Sequence, residues 1–303
     1  MIARRPGVGH AVTDNLRGSI FMVLSMAGFA VEDLLLKLVA QAMPVGQILI
    51  VFGGLGMALF AALCLRQGLP LWHRAVLSRP LLLRAGFEVG GRLFHTLALA
   101  LTSLAATSAI LQATPLVVVA GAAMIFGERV GWRRWLAILV GFAGVMIILR
   151  PGVEGFTPLS LLAVAGMIGF AGRDLATRAA PPVLGNLQLG VYGFGAMIPA
   201  GGALLAWTGG AVVPDAAGAG ALLGAVGVGV AAYLALTIAM RTGEVSVVTP
   251  FRYSRLVFAL VLAVLLLGEV PDGATLLGSG IVVGSGIYTL FRTHRANRNA
   301  PNL

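Results

Sequence analysis

Charge is scarce in this chain. Only 11% of its 303 residues are Asp, Glu, Lys or Arg, where a soluble domain carries about 25%. With 58% hydrophobic residues and a mean hydropathy of +0.96, that shortage excludes a water-soluble globular chain and points to lipid. Cysteine is nearly absent. The lone Cys64 excludes an internal disulfide, has no ligand cluster around it, and reads as helix packing. Aromatic residues make up 7%, too few for the acid-dominated, aromatic-lined pocket a greasy cation requires. There is no Walker motif, so the chain is not driven by ATP on its own. His-Glu-x-x-His, Asp pairs for Mg²⁺ and a Ser–His arrangement are all missing, which argues against an intramembrane enzyme. No catalytic residue, metal site or cofactor is expected. The net charge of +10 does not imply nucleic acid, because the basic residues sit in short loops and tails with no basic face to lie along a duplex. Ala40-Gln41-Ala42 has the form of a signal-peptide cleavage site, but Glu32, Asp33 and Lys37 stand between it and the apolar stretch, so no cleavage is expected.

What is present is a repeat. Gly28-Phe29-Ala30 returns as Gly169-Phe170-Ala171, a shift of 141 (169 − 28). The same shift pairs Asp33-Leu34 with Asp174-Leu175, Gln47 with Gln188, Gly54 with Gly195, Gly86 with Gly227, Leu93 with Leu234 and Thr96 with Thr237. It also pairs Gly127-Glu128 with Gly268-Glu269. The chain is therefore two copies of one unit, 18–150 and 159–291, between an N-terminal tail (1–17) and a basic C-terminal tail (292–303). In a membrane protein such duplication points to transport.

A span needs about 20 mostly apolar residues. The sequence predicts ten: 18–38, 44–65, 81–101, 104–127, 132–149, 158–178, 184–207, 219–240, 246–267 and 274–291. Punctuation falls at the breaks, as in Arg150-Pro151-Gly152, Ala180-Pro181-Pro182 and Val270-Pro271-Asp272-Gly273. Each copy holds five spans. Five is odd, so the second copy enters from the opposite side. The expected fold is an all-α polytopic membrane protein, with ten transmembrane helices as two inverted five-helix repeats. With a cytoplasmic N-terminus, one side collects Arg4, Arg5, Arg17, Arg66, Arg74, Arg79, Arg129, Arg133, Arg134, Arg178, Arg241, Arg292, Arg295 and Arg298. The other keeps Lys37 and Arg150. That positive-inside bias predicts an inner-membrane protein with both termini cytoplasmic. Trp72, Trp132, Trp135 and Trp207 fall at span ends, where interfacial anchors belong.

Eight charges inside predicted spans stand out: Glu32, Asp33, Glu88, Arg92, Arg173, Asp174, Arg252 and Arg255. Each costs about 2.5–3.5 kcal/mol at the centre of a lipid-facing helix. Together that is roughly 20–28 kcal/mol, above a fold's whole margin of about 5–15. They must pair, line a wet cavity or sit at an interface, and four acids against four arginines permit a polar interior. Glu88, Arg92 and His95, at i, i+4 and i+7, share one helix face. They read either as a self-satisfied salt bridge with His95 beside it or as a stripe lining a substrate cavity. Arg252 and Arg255 have no acid near them in sequence. Their anions come either from Glu32, Asp33, Glu88 or Asp174, or from a substrate carboxylate or phosphate, which guanidinium forks match. Asp33 can reach Lys37, and Asp174 can reach Arg178, each at i, i+4. Glu32 corresponds to Arg173, a charge reversal that suits gate elements working on opposite faces.

Gln188 and Tyr192 share a face at i, i+4 and, with Gln47, are cavity candidates or interhelical hydrogen-bonding groups. Gly86-x-x-x-Gly90 and Gly280-x-x-x-Gly284 are candidate helix seams. Pro115 is expected to break the fourth span, and Pro199 lies within the seventh.

Ten spans, a half-length duplication, and Gly127-Glu128 and Gly268-Glu269 closing spans four and nine resemble the EamA branch of the drug/metabolite transporter superfamily. Each Gly-Glu pair precedes a glycine-rich fifth helix. The resemblance covers nearly the whole chain. It implies a ten-helix secondary transporter with a central cavity between inverted halves, working by alternating access, and a structural Gly-Glu motif. The family moves amino acids, nucleotide-like and vitamin-like metabolites and amino-acid-derived metallophores, often outward. Mixed intramembrane charge suits a small zwitterionic or carboxylated metabolite, with export favoured. Uptake of a vitamin-like compound such as riboflavin is the alternative. The partners implied are that small molecule and the bilayer; a homodimer is left open.

Overall fold

The computed structural model describes residues 8–39, 42–101, 110–149, 158–267 and 272–298. All regular structure among them is helical: α1 (Val8–Val39), α2 (Val45–Arg66), α3 (Arg79–Leu101), α4 (Thr114–Phe126), α5 (Trp132–Leu149), α6 (Ser160–Arg178), α7 (Asn186–Thr208), α8 (Ala216–Thr242), α9 (Val245–Val248), α10 (Ser254–Leu267) and α11 (Gly273–Arg298), with short 3₁₀ turns at Arg74–Leu77 and Thr249–Tyr253. Helix boundaries follow local chemistry. Pro44 precedes α2, and Gly68 in the left-handed region (φ 66°) turns the chain after it. Asp215 caps α8 by accepting from the Gly218 amide at 2.8 Å.

One expectation needs correction. The ninth span is not one helix. Pro250 has no amide hydrogen to donate, and the span breaks into α9, the Thr249–Tyr253 turn and α10. Pro115 does mark a break in the fourth span: residues 110–111 are helical, 112–113 form a turn, and Pro115 sits in the first turn of α4, where its missing N–H costs nothing. Pro199 does lie inside α7.

Among the described residues, five helical stretches are long and apolar enough to cross a bilayer: Thr13–Leu36, Val45–Arg66, Asn186–Thr208, Ala216–Thr242 and Val245–Leu262. Large apolar side chains face outward along many helices, including Leu16, Ile20 and Leu24 on α1 and Leu276, Leu277 and Val283 on α11. So much exposed apolar surface fits lipid rather than water. Trp132 and Trp207 are exposed at helix ends, and Trp72 is exposed in the loop after α2.

The main helix pairs are α1 with α8, α2 with α7, α3 with α6 and α5 with α11. Each joins one copy to the other. Exchanging the copies turns the α1–α8 pair into α6–α3 and maps the other two onto themselves, which is the signature of two copies related by a two-fold axis. The match holds at single residues. A Cβ on Gly169 would lie 2.5 Å from Cα of Gly91, and one on Gly28 would lie 2.8 Å from Cβ of Ala232. A shift of 141 carries Gly28 to Gly169 and Gly91 to Ala232, so one close crossing is built twice. Small residues at both sites let the backbones approach. The predicted seams are displaced: Gly86, Gly90, Gly280 and Gly284 have no described atom near their Cβ positions, and Gly91 and Gly278 make the contacts instead.

Candidate functional site

The charges that keep α3 and α6 out of the apolar set meet each other. Arg84, Glu88 and Arg92 recur every four residues on one face of α3, and that face packs on α6. Arg173 of α6 reaches Glu88 Oε1 at 3.4 Å and Asp174 Oδ1 at 2.8 Å. Asp174 uses its other oxygen to accept from Arg252 on the Thr249–Tyr253 turn. Arg92 Nε lies 3.8 Å from Glu88 Oε1. Tyr233 of α8 donates its hydroxyl to Glu88 Oε2 at 3.1 Å and accepts from Arg84. Arg84 Nε donates to Thr177 Oγ1 at 2.9 Å. One helix of the first copy is thus tied directly to two helices of the second, α6 and α8, and through Asp174 to the Thr249–Tyr253 turn.

The network is sealed at its centre and open at its ends. The side chains of Glu88 and Asp174 are 0% and 1% exposed, whereas those of Arg92 and Arg252 are 18% and 12%. Removing a partner from such a buried pair costs about 3–5 kcal/mol, because the remaining charge has no water to return to. Packing holds the parts in place. The Tyr233 ring sits edge-on to Phe194 (5.1 Å between centroids) and Phe60 (6.2 Å). A Cβ on Gly193 would fall on its hydroxyl.

Two phenylalanines flank the network as repeat partners. Phe170 lies under the guanidinium groups of Arg173 (5.3 Å) and Arg92 (5.8 Å), with His95 edge-on to it. Phe29 lies under Arg255 at 5.4 Å. His95 Nδ1 is sealed from solvent with no hydrogen-bond partner among the described residues.

The structure therefore joins Glu88, Arg92, Arg173, Asp174 and Arg252, with His95 beside them and Arg255 turned toward α1. Asp174 does not serve Arg178 as its spacing suggests; it lies between Arg173 and Arg252. The side chains of Asp33 and Lys37 lie outside the described set. Glu32 is buried against Gly229 and Phe52, its Oε2 2.9 Å from the Gly229 Cβ position. Gly229 is the repeat partner of Glu88. The charge reversal between Glu32 and Arg173 is thus matched by replacement of the acid that Arg173 meets.

Gln188 and Tyr192 stand apart from the network. Gln188 donates to the Pro70 carbonyl at 2.7 Å and accepts from the Gly185 amide at 2.8 Å; Tyr192 donates to the Leu71 carbonyl at 2.6 Å. Gln47 does the same in the other copy, bonding both backbone groups of Val212. These side chains staple the loop leading out of the partner helix.

Arg84, Thr177 and Tyr233 escape the sequence reading. Arg84 is 2% exposed, so among the described residues the interior holds a fifth arginine beside the four expected. Two signals point to these residues. Arg84 is one turn from Glu88 on the same stripe, and Tyr233 is the repeat partner of Arg92.

The Gly127-Glu128 pair has a structural task. Gly127 ends α4 in the left-handed region (φ 66°), where other residues are strained. The Glu128 carboxylate then accepts from the amides of Val245 and Ser246, both at 3.1 Å, capping α9 of the other copy. Gly268-Glu269 lies outside the described residues.

Comparison with known proteins settles the class. A sequence model described as the EamA-like transporter family matches residues 16–150 and again 157–291. The chain belongs to the EamA-like transporter family. Among curated relatives, the riboflavin transporter of Rhizobium johnstonii is 29% identical over 63% of this chain and 63% of its own length, so the match spans just under two thirds of that protein. An S-adenosylmethionine uptake transporter of Rickettsia bellii is 26% identical over 72% of this chain and 75% of its own. The pseudopaline exporter CntI of Pseudomonas aeruginosa is 27% identical over 94% and 99%. A solved crystal structure, 22% identical, has the same fold, with a TM-score of 0.76 over 91% of this chain and 98% of its own. This EamA-like transporter is therefore a multi-pass membrane protein of the drug/metabolite transporter type, and not an enzyme.

Proposed function

We propose that this transporter is a secondary carrier for a small zwitterionic or carboxylated metabolite, such as an amino-acid-like compound or an amino-acid-derived metallophore. It works by alternating access between its inverted halves, with export favoured. The observation that carries this reading is the order of exposure in the network. Both carboxylates are sealed, and guanidinium groups form the open ends. A ligand entering between the halves meets cations first, and a carboxylate satisfies their forks. The ligand carboxylate competes with Asp174 for Arg252. That loosens α6 from the Thr249–Tyr253 turn and couples binding to the gate residues Glu32, Asp33, Arg173 and Asp174. Export is supported by the CntI match, which runs nearly end to end. The match to the riboflavin transporter of Rhizobium johnstonii supports a second reading, uptake of a vitamin-like metabolite such as riboflavin. Counterflow in liposomes with a panel of carboxylated metabolites tests the proposal. Accumulation of at least one is expected; movement of lipophilic cations alone contradicts it.

The charge bias of the loops supports an inner-membrane topology with both termini cytoplasmic and the 39–43, 150–156, 208–218 and 268–273 loops outside. A cysteine placed at Ala216 is expected to react with an impermeant thiol reagent in intact cells, and one at Ala75 is not. Native Cys64 is fully buried and gives a silent background. The reverse labelling contradicts the assigned orientation.

A further inference from the structure

A cleft of about 420 Å³ opens at one end of the bundle, and no residue of the charged network lines it. Its lining includes Arg17 of α1, Arg241 and Thr242 at the end of α8, and Pro182 and Asn186 before and at the start of α7; no lining residue is acidic. Arg241 is fixed in place, donating to the Leu184 carbonyl at 2.9 Å and to Asn186 Oδ1 at 2.8 Å. The charged groups acting on it are two further cations, Arg178 and Arg84. The Gln188 bond to Pro70 brings the 67–73 loop to this same end, between Arg66 and Arg74. Beside Arg17, Leu16, Ile20 and Leu24 form a ridge of side chains that are 50%, 51% and 57% exposed and run along α1 into the bilayer.

We infer that this cleft binds the phosphate of an anionic phospholipid. The two arginines hold the headgroup and the acyl chains lie along the Leu16–Ile20–Leu24 ridge. A basic pocket between helices at the arginine-rich end of a membrane protein has the electrostatics for such a headgroup. A free phosphate is served equally well by the arginines but gains nothing from the adjoining apolar ridge, so the ridge decides for lipid. Neither Arg17 nor Arg241 belongs to the charged network.

The test is native mass spectrometry of the full-length protein in neutral detergent, titrated with phosphatidylglycerol, with phosphatidylcholine of the same chains, and with inorganic phosphate. Phosphatidylglycerol is expected to be retained best. Arg17→Gln and Arg241→Gln should each weaken its retention about fivefold. Arg66→Gln, which removes an exposed arginine outside the cleft, should leave it unchanged. Arg241 also holds the 184–186 segment, whereas Arg17 is exposed, so the Arg17 variant separates lost binding from lost folding. Equal retention of phosphatidylcholine, an equal loss in Arg66→Gln, or an unchanged Arg17→Gln overturns the inference. Inorganic phosphate bound as tightly as the lipid assigns the cleft to a free anion and also overturns it.

Discussion

Glu88→Ala is expected to destabilise the protein by about 3–5 kcal/mol, the cost of stranding buried cations. Glu88 is fully buried and is touched by Arg92, Arg173 and Tyr233, which come from both copies. Its removal leaves Arg173 with Asp174 alone and leaves the Tyr233 hydroxyl without its acceptor. The measurement is the yield and melting temperature of folded protein in detergent. Glu244→Ala is the control. The Glu244 side chain is 44% exposed and pairs with Arg134 at 2.7 Å, so its loss is expected to cost about 1 kcal/mol or less. Replacing Arg173 by Met in the Glu88→Ala background should recover part of the loss, because the stranded charge leaves with its partner. Equal stability of the Glu88 and Glu244 variants contradicts the central place given to Glu88.

Arg252→Gln is expected to weaken substrate binding without lowering the amount of folded protein. Asp174 keeps Arg173 when Arg252 is lost, so no buried carboxylate is stranded. A charge-assisted contact in a desolvated site is worth about 1.5–3 kcal/mol, or about 10- to 150-fold in affinity. Arg255→Gln should fall in the same range, because its guanidinium lies over Phe29 on the opposite half. Counterflow rates against substrate concentration, normalised to membrane protein, give the numbers. Normal transport by both variants contradicts the assignment of these arginines to the ligand.

The architecture is legible in the sequence because inverted duplication leaves two linear traces, a fixed shift of 141 and an odd number of spans per copy. The Gly28 and Gly169 crossings show how directly that shift becomes structure. The site is legible only in part. A charge in an apolar run announces itself, so Glu88, Arg92, Arg173, Asp174 and Arg252 stand out. Their partners do not, because pairing across α3, α6, α8 and the Thr249–Tyr253 turn is set by helix packing. Sequence spacing favours Asp174 with Arg178, but packing brings Arg252 to it. Tyr233 reads as an ordinary apolar-helix residue until its ring is seen among Phe60 and Phe194 with its hydroxyl on Glu88. Gln188 and Tyr192 illustrate the opposite error. Polar groups in a span suggest a cavity, yet the backbone carbonyls of a nearby loop satisfy these two. The break at Pro250 matters most for function, because it places Arg252 on a turn rather than on a continuous helix.

The central claim is that cations at the open ends of the network read a carboxylate on the substrate. The most direct measurement is counterflow by the wild-type protein and Arg252→Gln, using one transported carboxylated metabolite and its neutral amide as a matched pair. The wild type is expected to prefer the acid by about 10- to 150-fold, and Arg252→Gln to lose most of that preference while still accumulating in the membrane. Equal transport of acid and amide by the wild type, or an unchanged preference in Arg252→Gln, contradicts the claim.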